Sequence, residues 1–418
     1  MWCMKKFVIR IFVLAAIAAV ATQSAEAQQV SFGKYFTGGT LRVDCLREGS
    51  AQGDTVWVER WVDRMSDWHG SRKELLDPFD NGDYRVEMRD AKTGKTIYSR
   101  GYSNLFREYK NTLEGKRGVK KRFEETHLLP MPKKAVYIAL QKRDEGMRLR
   151  DASVVLFDPK SQKLEHNFFV GERVDLEING DPSKKVDVVI VAQGYENASD
   201  PRLRIDYFRM KEILFGKEPF ASHRRDFNVY GVCGDVDAEF NTFGIDRYLM
   251  TQSLWKLHNR IGTTPCDHII VMVNSDKYGG GAIYNFYAVS TMHTMAAYVL
   301  PHEFGHSFGG LADEYVDEDL SYGSLHVTPY EPLEPNITNL KNFDSKWKSM
   351  LAPGMAIPTE PDDHIPATTN GPLGVYEGAG YAPKGVYRPT MHCMMRDYAP
   401  FCPVCAKRLE EIFGMYTK

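Results

Sequence analysis

The stretch His302-Glu303-Phe304-Gly305-His306 has the form H-E-x-x-H. Ala296-Ala297-Tyr298-Val299-Leu300-Pro301 runs into it, and Ser307-Phe308-Gly309-Gly310-Leu311-Ala312-Asp313-Glu314-Tyr315 runs out of it. On a helix, residues four apart share a face with their Cβ atoms about 6 Å apart. Two imidazoles at that spacing reach one ion, and the Glu beside the first of them faces a water on it. Two histidines on a solvated face are the plainer reading, and the flanking residues argue against it. Val299, Leu300, Phe304 and Phe308 predict a helix anchored in a core, and Gly309-Gly310 predicts its end and a sharp turn. Pro301 either opens that helix, where its missing N–H costs nothing, or bends it just before the first ligand. Catalytic zinc takes three protein ligands and keeps one position open. A turn after Gly310 brings Asp313 back as the third ligand, with Glu314 second. A Glu from a later helix is the other source, but Pro329, Pro332 and Pro335 crowd Glu331 and Glu334. No helical pattern carries either of these or Glu318.

Outward from this motif the chain alternates between strand and helix patterns. Val186 to Val191, apolar except for Asp187, reads as a buried parallel strand, and Leu203 to Phe215 follows at helical spacing. Phe227 to Val232, the helix-like Tyr248 to Ile261 and the apolar run His268 to Val273 continue the series. Tyr278 to Gly281 and Ala282 to Ser290 predict a loop and an edge strand along a cleft, open to pairing with an extended peptide. Beyond Tyr315 the chain is irregular and rich in Pro and Gly until helical periodicity returns at Cys402 to Met415. Long irregular stretches in a compact domain are usually functional or stapled in place.

Residues 28 to 180 differ. Thr40–Cys45, Val56–Val62, Tyr84–Met88, Ala135–Leu140, Ser153–Phe157 and Leu164–Val170 are rich in β-branched and aromatic residues. Turn-formers such as Asp80-Asn81-Gly82 and Lys92-Thr93-Gly94 separate them. An antiparallel sandwich follows from that spacing. Lys116, Arg117, Lys120, Lys121 and Arg122 predict a solvated loop, since Glu124 and Glu125 follow at once. The domain boundary is expected near Asp181-Pro182, giving domains 28–182 and 183–418.

The whole chain has 418 residues, 43% apolar and 26% charged, with a net charge of -2. No global field draws it to nucleic acid or an anionic membrane. Met1 to Ala27 carries Lys5, Lys6 and Arg10, then the apolar run Ile11 to Val20, then Ala25-Glu26-Ala27. That order is the one a secretory signal peptide requires, and the run is too short to span a bilayer. The expected product starts near Gln28, does not span a membrane, and is secreted or periplasmic. Six cysteines remain in it: Cys45, Cys233, Cys266, Cys393, Cys402 and Cys405. In an oxidising compartment they predict disulfides, with Cys402-Pro403-Val404-Cys405 read as a structural bridge more readily than as half of a zinc site.

Residues His302 to Tyr315, HEFGHSFGGLADEY, resemble the signature of the IgA-peptidase-type zinc metallopeptidases, a metzincin-like group. The resemblance extends to Val188–Tyr195, Val273-Asn274-Ser275, Tyr278-Gly279-Gly280, Tyr376–Tyr381, Gly385–Pro389, Cys393–Arg396 and Phe401–Cys405. Residues 28–180 resemble the β-rich amino-terminal domain of gut-bacterial members. The likeness implies a two-domain α+β or α/β chain, in which a β-sandwich-like amino-terminal domain precedes a metzincin-like α/β zinc peptidase domain. It implies His302, His306 and Asp313 as Zn2+ ligands and Glu303 as general base and acid. Strict metzincin spacing puts the third ligand at Ala312, which cannot bind metal, so Asp313 is offset by one. A methionine turn below the metal falls on Met395, or secondly Met394; Cys233 and Cys266 are candidates for an extra bridge in this chain, with the pairing of the six cysteines left open. Tyr387, shortly before that turn, is the candidate oxyanion donor. The function expected is a secreted zinc-dependent endopeptidase acting on a protein or peptide. The alternative is a surface carbohydrate- or protein-binding protein with a vestigial metal site.

Overall fold

The computed structural model describes residues 30–166, 172–317, 326 and 328–417. The expected leader 1–27, the end of the Leu164–Val170 strand and Glu318 lie outside them. The first module is built from β1 (Phe36–Ser50), β2 (Gly53–Asp67), β3 (Tyr84–Asp90), β4 (Thr96–Tyr102), β5 (Lys121–Pro132), β6 (Val136–Arg143), β7 (Leu149–Phe157) and β8 (Glu165–His166). Three single-turn helices accompany them: α1 (Phe32–Tyr35), α2 (Phe106–Tyr109) and α3 (Leu113–Lys116). Two four-stranded sheets result, in the orders β5-β1-β2-β8 and β4-β3-β6-β7. Tyr84, Val86 and Met88 alternate inward along β3, as period two requires. The expected loop at Lys121-Arg122 is instead the start of β5, where Arg122 is exposed while Phe123 and Glu125 are buried.

The second module centres on a six-stranded sheet. Its strands are β9 (Arg173–Glu177), β10 (Val186–Gln193), β11 (Phe227–Cys233), β14 (His268–Val273), β15 (Gly280–Ile283) and β16 (Tyr287–Thr291), in the order β15-β16-β14-β10-β11-β9. β10, β11, β14 and β16 are parallel, and β15 and β9 close the edges antiparallel. β9 lies before Asp181-Pro182 yet pairs with β11, so the division between sheets falls upstream of Arg173. Two small antiparallel pairs are added: β12 (Ala238–Glu239) with β13 (Met250–Thr251), and β17 (Tyr376–Ala379) with β18 (Ala382–Arg388).

The long helices are α4 (Pro201–Phe215), α5 (Leu254–Ile261), α6 (Ala296–Gly309) and α7 (Pro403–Thr417). The fold is the two-domain α+β arrangement expected of the chain. Strand β1 is buried on both faces because Leu41, Val43 and Cys45 enter the sandwich while Arg42 and Asp44 turn to α5. There Arg42 donates to Asn259 Oδ1 at 2.7 Å and to the Trp255 carbonyl at 3.0 Å. One apolar core therefore runs from Val43 and Phe123 through Leu257 to Val271 and Val289. A second core under α6 joins Phe304 and Phe308 to Phe220, Phe401 and Phe413. No helix among the described residues is long and apolar enough to cross a membrane.

Candidate active site

Helix α6 carries the H-E-x-x-H stretch across the floor of a cleft. Pro301 is the sixth residue of this helix, so the helix neither starts there nor ends; the Ala297 carbonyl simply loses its helical N–H. The end comes at Gly310, which is left-handed at φ +61°. Its N–H returns to the His306 carbonyl at 2.9 Å, and a Cβ on it would come within 2.1 Å of Asn81 Nδ2. The chain then folds back along the helix and presents Asp313.

Three side-chain atoms converge. His302 Nδ1 donates to the Met394 carbonyl at 2.9 Å, and His306 Nδ1 donates to the Leu311 carbonyl at 2.7 Å. These bonds fix the tautomers and leave both Nε2 lone pairs facing inward. The Nε2 atoms lie 3.2 Å apart, and Asp313 Oδ1 lies 3.0 Å from that of His302 and 3.3 Å from that of His306. Tetrahedral ligands about 2.0–2.1 Å from one zinc stand about 3.3 Å apart. Asp313 Oδ1 is buried without a hydrogen-bond donor, and three electron pairs aimed at one point require a cation. Tyr381 Oη donates to the other oxygen, Oδ2, and the Gly380 N–H donates to the Asp313 carbonyl at 2.9 Å. Burial opposes charge on Asp313, but His306 and His302 override it and hold the carboxyl far below its ordinary range. Asp313 likewise outweighs burial in raising the proton affinity of His306, and the proton so favoured on Nε2 is the one a metal would displace.

Glu303 lines the same cleft, and burial pushes its carboxyl up while His302 and His306 draw it back. Edge strand β15 passes close above it: a Cβ on Gly280 would meet Val299 Cγ1 at 2.6 Å and Glu303 Oε1 at 3.0 Å. Part of that edge is already paired, since Gly280 donates to the Arg247 carbonyl at 3.2 Å and accepts from the Leu249 N–H at 3.1 Å. Beneath α6, Met395 is fully buried, and a Cβ on Gly305 would come within 2.6 Å of its sulfur. Met394 contributes its carbonyl to His302.

Two sequence expectations are corrected here. Tyr387 is not in the cleft wall; it lies on β18, where its N–H and carbonyl pair with Thr338 at 2.8 and 3.1 Å and its ring packs on the core. The expected disulfides are not formed, because all six cysteines among the described residues are free thiols. Sequence reading also missed several wall residues. Tyr381 reaches Asp313 from 68 residues away. Asn81, Ser103, Asn104, Arg107 and Glu108 come from the first module. Arg107 bonds Glu334 at 2.7 Å across the two modules, and burial pushes the Glu108 carboxyl up to about 7.

No curated protein matches the chain. The Peptidase M64 N-terminus family matches residues 31–152, which run from α1 through β6 into the first half of β7. The IgA Peptidase M64 family matches residues 174–368 and 365–413, a region that holds the six-stranded sheet, α6, the Asp313 turn and most of α7. These matches cover most of the chain in the order its two modules stand, and the protein is a peptidase that belongs to the IgA Peptidase M64 family.

Proposed function

We propose that the protein is a secreted, zinc-dependent endopeptidase in which His302, His306 and Asp313 hold the metal and Glu303 serves as general base and then general acid. The observation that carries this reading is the triangle of His302 Nε2, His306 Nε2 and Asp313 Oδ1, with edges of 3.0 to 3.3 Å, beside the Glu303 carboxylate. Two imidazoles and one carboxylate are a donor set that suits zinc. Zinc bound there would supply a Lewis acid that polarises a carbonyl and makes water acidic near neutral pH. Glu303, one residue from the first ligand, takes the proton from the attacking water and passes it to the leaving amine. Its raised affinity for a proton favours the second step without abolishing the first. Tyr381 and the carbonyls of Met394 and Leu311 keep the three ligand atoms oriented.

Substrate orientation falls to the wall. A main chain laid along β15 is left the position of Ala282, since Gly280 pairs with Arg247 and Leu249 on one side of it and the Tyr284 carbonyl accepts from the Ser103 N–H at 3.2 Å on the other. Among the wall tyrosines, Tyr381 donates to Asp313, Tyr315 bonds Arg247, Tyr248 bonds Glu108, and Tyr298 lies 3.4 Å from His302 Nδ1. Tyr278 lines the cleft with the catalytic triangle and Glu303 and is 38% exposed, so we assign it the oxyanion-donor role. Export rests on the leader pattern of residues 1–27. The family's name carries immunoglobulin A, which makes an immunoglobulin the first protein substrate to try.

The test is direct. Protein recovered outside the cytoplasm should begin near Gln28, contain zinc, and cut a complex protein mixture at internal bonds. Glu303→Gln should lower kcat/KM by about 10²- to 10⁴-fold with its metal retained. Zinc-loaded wild-type protein inert towards proteins and peptide libraries would sink the proposal, as would a Glu303→Gln variant of wild-type activity.

A further inference from the structure

We propose that Glu314, Cys393, Cys402 and Cys405 form a second metal site, structural in role and suited to zinc, lying behind the catalytic one. Three buried thiols and one carboxylate meet with their donor atoms all within 4.8 Å of one another. Cys393 Sγ and Cys405 Sγ are 3.8 Å apart, and Cys405 Sγ is 3.3 Å from Glu314 Oε1. A tetrahedron with Zn–S near 2.3 Å and Zn–O near 2.0 Å has edges of about 3.8 Å between sulfurs and about 3.5 Å between sulfur and oxygen. These two edges already have those lengths.

Burial supplies an independent argument. Glu314, Cys393, Cys402 and Cys405 are each 0% exposed. Glu314 Oε1 accepts from Asn336 Nδ2 at 2.8 Å, whereas Oε2 has no hydrogen-bond partner at all. A carboxylate oxygen buried without a donor costs several kcal/mol unless a cation faces it. The sulfurs receive backbone support of the kind thiolate ligands use: the Cys402 N–H points at Cys393 Sγ at 3.3 Å, and the Cys405 N–H at Cys402 Sγ at 3.5 Å. Arg396 donates to the Glu314 carbonyl at 3.2 Å, which sets a cation beside the donor set. Thiolates select zinc over magnesium or calcium. A disulfide between two of the cysteines would leave the third thiol and the carboxylate buried and unmatched.

The position of the cluster explains what it would do. Asp313 and Glu314 are consecutive, and their side chains leave the chain towards opposite sites. The Glu314 N–H donates to the Met395 carbonyl at 2.8 Å, while Met394, next to Cys393, supplies the carbonyl that orients His302. Cys402 and Cys405 stand at the start of α7. One ion would thus tie the Asp313 turn, the methionine turn and α7 together in a region with little regular structure. That is the staple which a long irregular stretch calls for.

The inference is independent of the catalytic reading, and one experiment separates them. Purified full-length protein should hold about two zinc ions per chain. A His302→Ala/His306→Ala variant should hold about one, and its zinc absorption spectrum should show a first shell dominated by sulfur. Cobalt exchanged into that variant should give the thiolate-to-cobalt charge-transfer band. Cys402→Ser should remove this band and one equivalent of metal; if that variant does not fold, the measurements on the histidine variant stand alone. A histidine variant that holds no metal, a first shell without sulfur, or a disulfide found among Cys393, Cys402 and Cys405 by peptide mapping would each overturn the proposal. Loss of proteolysis with the sulfur-bound metal intact would touch only the catalytic reading.

Discussion

His302, Glu303 and His306 can be read from the sequence because the helix repeat alone brings them together, and no distant contact is needed. Asp313 can be read because Gly309-Gly310 marks the turn that returns it. Tyr381 cannot, since its contact with Asp313 spans 68 residues and depends on a left-handed residue between β17 and β18. Tyr387 was assigned by its nearness in sequence to the methionine turn, but six residues along a hairpin are enough to carry a ring out of the cleft. Two substitutions measure this difference. Tyr381→Phe removes the donor to Asp313 Oδ2 and should weaken zinc binding or activity about 10- to 100-fold, read by competition with a chromogenic chelator. Affinity and rate equal to wild type would mean that the hydroxyl does not orient the ligand. Tyr278→Phe should lower kcat by about 10²-fold with KM little changed, whereas Tyr387→Phe should leave both within about twofold. The opposite ranking would restore Tyr387 to the site.

At the scale of elements, β10, β11 and β14 are legible because they are buried on both faces and apolar almost throughout. β4 and β5 are not, because their patterns include charges that only tertiary partners make tolerable. Glu125 on β5 is fully buried, and Arg47 on β1 answers it at 2.5 Å. Helix α6 shows the same limit. Its apolar spacing predicted a helix, but Pro301 left its start ambiguous, and only packing against β15 and β16 decides that it runs through the proline. On the side of the helix that meets the methionine turn, a Cβ at Gly305 would come within 2.6 Å of the Met395 sulfur. Gly305→Ala should therefore destabilise the fold by about 1–3 kcal/mol, despite the better helix propensity of alanine. Thermal unfolding of metal-loaded protein would show this as a lower midpoint, and a raised midpoint would mean that Met395 moves aside at little cost.

The whole molecule is one body in which the sandwich builds part of the cleft, and nothing in the sequence announced that. The contacts responsible are polar and long-range. Arg64 donates to the Gly262 carbonyl at 2.8 Å and bonds the Thr264 carbonyl; Glu124 accepts from the Trp255 N–H at 2.8 Å; Arg107 holds Glu334 over the site. Such residues look like surface charges until the partner module covers them. Their dependence on charge makes acid sensitivity a property of the whole molecule. Burial alone would raise the carboxyls of Glu125 and Glu334, but Arg47 with His127 and Arg107 with His326 override it and bring each down to about 2. An unfolded Glu titrates near 4.3. A carboxyl depressed in the folded state contributes stability that is complete above about pH 4.3 and is lost as pH falls towards about 2. On the order of 3 kcal/mol per group is at stake at neutral pH: the Glu334 share bears on the junction of the modules and the Glu125 share on the sandwich itself. Glu125→Gln should lower stability at pH 6 and flatten its fall between pH 5 and pH 3, measured by urea unfolding at each pH. If the variant loses as much stability over that interval as wild type does, the Arg47–Glu125 pair is not what makes the sandwich sensitive to acid.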